Sequence, residues 1–111
     1  MAFHRDYAAA EPARAELDGS HGAVLVEFGA PWCPICQAAQ PHIASALNEH
    51  ADVQHIKVED GRGRPLGRSF RVKLWPTLIA LRDGREIARV VRPENRQAVA
   101  QLLQNLASSA S

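Results

Sequence analysis

The chain has 111 residues, 46% of them hydrophobic and 23% charged, with two cysteines and a formal net charge of +1. That length suits one compact core and no second domain, and the composition excludes a disordered or fibrous chain. No apolar run approaches the roughly 18 residues a membrane span needs, and the opening MAFHRDYAAAEPARAELDGS lacks the apolar core of a secretory signal. A cytoplasmic protein with no membrane partner is therefore expected.

Charge is unevenly spread: residues 1–56 carry two basic and seven acidic groups, residues 57–111 eleven basic and five acidic. Neither an aromatic RNA-stacking motif nor a basic recognition helix accompanies this imbalance, so no nucleic-acid partner is expected. Two cysteines cannot build a disulfide framework. In a reducing compartment a close pair is redox-active or metal-binding.

In chain order, residues 6–18 are alanine-rich and favour helix, with Pro12 either kinking it or marking its start. Residues 1–20 are read as an N-terminal helical segment of the domain, 21–107 as its body and 108–111 as a flexible tail. The run Ala23-Val24-Leu25-Val26-Glu27-Phe28 reads as a strand buried on both faces of a parallel or mixed sheet. After Cys33-Pro34-Ile35-Cys36, apolar residues at 35, 39, 43, 46 and 47 follow a helical period through Asn48. Pro34 suits the first helical position, and Pro41 interrupts the interior.

Residues 53–59 predict a second strand, 60–67 a glycine-rich loop, and the stretch up to Phe70 a short helical turn. Residues 77–81 and 86–91 flank Arg82-Asp83-Gly84-Arg85, whose Asp-Gly pair predicts a hairpin. From Pro93, which can open it, a last helix places Val99, Leu102, Leu103 and Leu106 on one face.

A C-x-x-C between a buried strand and a helix puts the first sulfur at the helix N-terminus. Free N–H groups and the helix dipole there stabilise an anion. Cys33 is thus the expected nucleophile, and Cys36, one turn along, the thiol that resolves a mixed disulfide.

VLVEFGAPWCPIC, the proline five residues after the second cysteine, and FRVKLWPTLIALRDGREI together resemble the thioredoxin family over residues 23–106. The resemblance implies an α/β thioredoxin fold with a mixed five-stranded sheet flanked by helices. It also implies thiol-disulfide exchange with protein disulfides, most simply their reduction. No cofactor beyond the Cys33–Cys36 pair is implied. The protein would act as a monomer, with a reductase or glutathione as electron donor.

Residue by residue, Pro76 resembles the family's cis-proline, which offers the backbone of the preceding residue, here Trp75, to an extended substrate. Glu27 and Lys57 match an acid and a lysine beneath the second cysteine, and Glu27 is placed to take the Cys36 proton. The usual acid is aspartate, one methylene shorter. Trp32, Pro34, Trp75, Pro76 and Arg92 form the expected substrate-binding set. The order Pro34-Ile35 leaves an N–H at Ile35 that proline would lack, a further donor for the Cys33 sulfur that would make the protein a weaker reductant than an ordinary thioredoxin.

Two positions depart from the family: Gly29 replaces an aromatic residue, and Arg92 replaces a groove glycine. With Arg71 and Lys73, Arg92 would favour acidic partners. Two other readings compete. Cys33, Cys36, His50 and His55 have the spacing of a zinc finger, although a buried strand before them and Pro41 between them do not suit one. A non-catalytic thioredoxin-fold adaptor would have no need of the second thiol.

Overall fold

The computed structural model describes residues 3–110. The elements are α1 (Arg14–Asp18), β1 (Ala23–Gly29), α2 (Pro34–Leu47), β2 (Gln54–Glu59), α3 (Pro65–Ser69), β3 (Thr77–Arg82), β4 (Arg85–Val91) and α4 (Arg96–Ser108). They form the expected α/β arrangement. The sheet order is β2-β1-β3-β4, with β1 parallel to β2 and antiparallel to β3, and β3 antiparallel to β4.

The continuous apolar run of β1 is explained by its central place, with all seven residues buried. Successive side chains point to opposite faces. Ala23 and Leu25 join Leu78 and Ala80 of β3 against Ile43 and Leu47 of α2 and Leu103 and Leu106 of α4. Val24, Val26 and Phe28 join Ile79 and Leu81 beneath Leu17 of α1, Leu66 of α3 and Phe70. Two apolar layers thus enclose the sheet.

Several details differ from the sequence reading, among them a start of α3 at Pro65, inside the stretch expected as loop. The alanine-rich N-terminal segment forms only the single turn of α1 after Pro12, so the proline stands just before the helix rather than kinking it. Ahead of it, residues 3–8 lie along β2, but Ala8 N–H to Lys57 O (2.7 Å) is the backbone bond that joins them. The sheet therefore has four strands among the described residues, not five. HRDYAAAEP has none of the alternating β-branched pattern that sustains a ladder.

The last helix starts at Arg96 rather than at Pro93, because the Asn95 side chain accepts the Ala98 N–H and fixes the cap there. It continues through Ser108, one residue into the segment expected to be flexible. At the hairpin, Asp83 and Gly84 take φ of 52° and 81°, the left-handed pair an Asp-Gly turn accommodates. A Cβ on Gly84 would collide with the Asp18 carbonyl.

Leu103 is fully buried between α2 and the sheet. Leu103→Ala should cost about 2–5 kcal/mol, the range for truncating a packed leucine. It should appear as a lower urea midpoint at unchanged slope.

Candidate active site

Ala30 to Trp32 link the buried end of β1 to α2, and Cys33 is the N-cap of that helix, with its N–H donated to Ala30 O at 3.2 Å. Its sulfur accepts the Cys36 amide at 3.2 Å. The backbone donor is thus Cys36's own, one residue past the Ile35 that the sequence nominates. Pro34 occupies the first helical position, where its missing N–H leaves no gap. Both cysteines are free thiols.

Cys36 lies deeper, at 1% exposure against 7% for Cys33. Burial first, and then the neighbouring Cys33 sulfur, push the Cys36 thiol up to about 12. Gly29 makes this depth attainable. A Cβ there would lie 2.7 Å from Cys36 Sγ and 3.1 Å from the Tyr7 hydroxyl. The absent side chain at Gly29 leaves room that Cys36 Sγ and the Tyr7 hydroxyl of the N-terminal arm share.

Beneath the sulfurs lies a buried polar chain. Glu27 has the same strand parity as Leu25 and so faces α2, with no exposed surface. Parallel register aligns Leu25 with His55 and Glu27 with Lys57, which brings both β2 side chains to that face. Glu27 Oε1 lies 2.8 Å from His55 Nε2, and Oε2 accepts Gln40 Nε2–H at 2.8 Å. The His4 amide donates to His55 Nδ1 at 2.8 Å. That bond fixes the tautomer, because Nδ1 must accept and Nε2 must therefore carry the proton it gives Glu27.

Lys57 Nζ donates to Gln40 Oε1 and to Arg5 O, each at 2.8 Å, and stands 4.5 Å from the Tyr7 ring centroid. A small cavity of about 160 Å³ joins Tyr7, Cys36, Gln40 and Lys57. Burial raises the Tyr7 phenol, and the nearby Cys36, Glu27 and Cys33 add to the shift. Tyr7 therefore remains a neutral hydroxyl donor.

The outer rim is built from the tryptophans. Trp32 is 67% exposed and meets Trp75 edge-on at 5.5 Å between ring centroids. Trp75 packs on Ala30, Cys33 and Cys36, and its indole N–H donates to Asp60 Oδ2 at 2.8 Å. The Trp75–Pro76 peptide is cis. Arg92 lies across this rim: its N–H donates to Pro76 O at 2.8 Å and its side-chain Nε to Trp75 O at 2.9 Å. Pro34, Ile35, His42, Arg92, Pro93 and Glu94 are among the residues that line a groove of about 520 Å³ beside the sulfurs.

The structure thus gathers Cys33, Cys36, Trp32, Pro34, Trp75, Pro76 and Arg92 at one end of the sheet, with Glu27 and Lys57 below. Sequence reasoning missed Tyr7, Gln40 and Asp60, and offered His55 only as a zinc ligand. His55 was legible, since two residues before Lys57 on a strand means the same face. The zinc reading gains no support. Both ring nitrogens of His55 are engaged inside the protein. Among the described residues no three His, Cys, Asp or Glu side chains gather as a metal site.

This fold and dithiol define the class of thiol-disulfide oxidoreductases that work through a redox-active cysteine pair without a separate cofactor. The thioredoxin family model matches residues 8–105, and the chain belongs to the thioredoxin family. It is similar to thioredoxin 2 from Pseudomonas aeruginosa PAO1 in its reduced form, with 54% identity, a TM-score of 0.84, and coverage of 94% of this chain and 96% of that one. Thioredoxin of Chlamydia pneumoniae is 32% identical over 84 residues, 74% of this chain and 80% of that protein. Thioredoxin-2 of Pyricularia oryzae is 32% identical over 72 residues, 65% of this chain but only 42% of that protein, so the chain spans less than half of that relative. No helix among the described residues is long and apolar enough to cross a membrane.

Gly29→Ala should force its Cβ into Cys36 Sγ and cost about 1–3 kcal/mol, as overpacking a filled site does. Urea unfolding of the reduced protein measures it. Parental stability would mean that the sulfur and Tyr7 can move aside freely.

Proposed function

We propose that this chain reduces disulfides in proteins through its Cys33–Cys36 dithiol. The observation that carries the reading is the asymmetry of the pair, one sulfur at the helix cap and the less buried of the two, the other enclosed and protonated at neutral pH. The Cys33 thiolate attacks one substrate sulfur, the substrate S–S bond breaks, and a mixed disulfide forms as the other substrate sulfur leaves as thiolate. Cys36 then gives up its proton and attacks Cys33 Sγ, which releases the second substrate thiolate and leaves Cys33–Cys36 oxidised. Two electrons have passed to the substrate.

The Cys36 proton needs an acceptor, and Glu27 with its partners His55, Gln40 and Lys57 is the buried relay that serves it. Tyr7 lies at the same cavity and supplies a hydroxyl to the sulfur that becomes charged. An extended substrate segment pairs with the backbone at Trp75, alongside the sulfurs, in the manner of strand addition. Trp32 and the groove beside Pro34 and Arg92 hold its side chains. The protein works as a cytoplasmic monomer, and a reductase or glutathione returns it to the dithiol.

Alkylation with limiting reagent should label Cys33 first. In Cys33→Ser, the labelling rate of Cys36 should rise about tenfold per pH unit from pH 7 to 9, because its thiolate is a small fraction throughout. A plateau near neutrality, or first labelling at Cys36, would reverse the two roles. Cys33→Ser should also abolish disulfide reduction, whereas Cys36→Ser should remain trapped as a mixed disulfide visible by mass.

Glu27→Gln keeps the shape but removes the proton acceptor. Stopped-flow kinetics should show the resolving phase slowed about 10²-fold or more with the first attack little changed. Equal slowing of both phases would leave Glu27 a purely structural part.

A further inference from the structure

A backbone segment captures a partner strand only while its N–H and C=O groups are open to it. At the rim of this site the Trp75 carbonyl already accepts Arg92 Nε–H at 2.9 Å, so a partner N–H must displace the guanidinium or share the oxygen with it. Arg92 is held for this task. Its backbone takes φ of 51°, a conformation a non-glycine side chain rarely adopts, and its N–H is tied to Pro76 O. A residue at this point without a side chain would leave the carbonyl open.

The guanidinium is also an uncommitted charge. The ion pairs among the described residues are Arg14–Asp18, His55–Glu27, Arg64–Glu59, Arg89–Glu86 and Arg96–Glu49, and Arg92 is in none of them. An arginine bonded to a neutral carbonyl forms a stronger, two-pronged pair when a carboxylate comes within reach. On the far side of Trp75, Asp60 holds the indole, and the groove it shares with Arg64, Arg68, Arg71 and Lys73 is basic. The groove beyond the indole tether thus carries four cations against one carboxylate, and the groove on the other side has both Arg92 and Glu94 in its lining.

We propose that Arg92 is a specificity gate that closes the Trp75 carbonyl to neutral substrates and is drawn off it by a carboxylate carried beside the substrate disulfide. The substrate class that follows is a disulfide within an acidic segment. Such a segment exchanges the Arg92–carbonyl bond for an Arg92–carboxylate pair and gains the carbonyl for its own N–H. A neutral segment that takes the carbonyl breaks the same contact without the compensating Arg92–carboxylate pair. Discrimination thus comes from a cost imposed on the wrong substrate as well as from attraction to the right one.

The inference rests on the reading that the chain reduces protein disulfides by pairing with them at Trp75. Its test uses two disulfide-linked peptides of equal length, one with Asp and Glu flanking the half-cystine, the other with Asn and Gln. With dithiothreitol returning the oxidised protein to the dithiol and its direct reaction with each substrate subtracted, kcat/KM is measured for the parent, Arg92→Gly and Arg92→Lys at low and high salt. Glycine accepts the backbone angle at this position, and urea unfolding reports whether each variant is folded.

The parent should favour the acidic peptide about tenfold at low salt, less at high salt. Arg92→Gly should speed the neutral peptide, slow the acidic one and bring the ratio near unity. Arg92→Lys should keep part of the preference through its charge. A folded Arg92→Gly with an unchanged ratio, or with the neutral peptide slowed, overturns the gate. Reduction of uncharged 4,4′-dithiodipyridine by the parent separates the two levels: turnover there without peptide preference sinks the gate alone, and no turnover sinks the oxidoreductase reading beneath it.

Discussion

A carboxylate sealed inside the sheet has to be met by donors, and in this protein that constraint organises the ground beneath the sulfurs. Glu27 sits on the central strand with no exposed surface, where an unpaired charge would be prohibitively costly. β2 supplies His55, α2 supplies Gln40, and Gln40 passes the connection to Lys57. The N-terminal arm completes the chain by donating the His4 amide to His55 and accepting from Lys57 at Arg5 O. These bonds act with Phe3, which packs on the core and stacks on His55, and with the Ala8–Lys57 backbone bond to hold the arm along β2.

That arm matters because it brings Tyr7 to the reactive end. The ring stands beside Lys57, and the hydroxyl crowds the same point as Cys36 Sγ, the point left vacant at Gly29. Gly29 and Tyr7 are therefore one device formed from two distant parts of the chain. Its effect is to enclose Cys36 and leave Cys33 at the helix cap, so that identical thiols acquire different chemistry through burial and placement.

The rim obeys a similar economy of fixed contacts. Trp75 is tethered at its indole by Asp60, packed against both cysteines, and capped at its carbonyl by Arg92. The indole tether and the packing hold a defined backbone edge next to Cys33, and Arg92 governs access to its carbonyl. Orientation of this kind lowers the entropic cost of bringing a substrate disulfide into line with a sulfur.

Local pattern in the sequence was enough for the strand before the cysteines, the helix after them, the Asp-Gly hairpin and the apolar face of the last helix, since period and turn chemistry act over a few residues. The cysteine spacing and the proline before Thr77 likewise announced the site. The short extent of α1, the missing fifth strand and the helix start at Arg96 depended on which backbone bonds could be completed, and propensity alone does not decide that. Gln40, Tyr7 and Asp60 entered the site only through the tertiary structure. Strand register, the crossing of α2 and the path of the arm bring together residues far apart in the chain, and no local pattern encodes such a meeting.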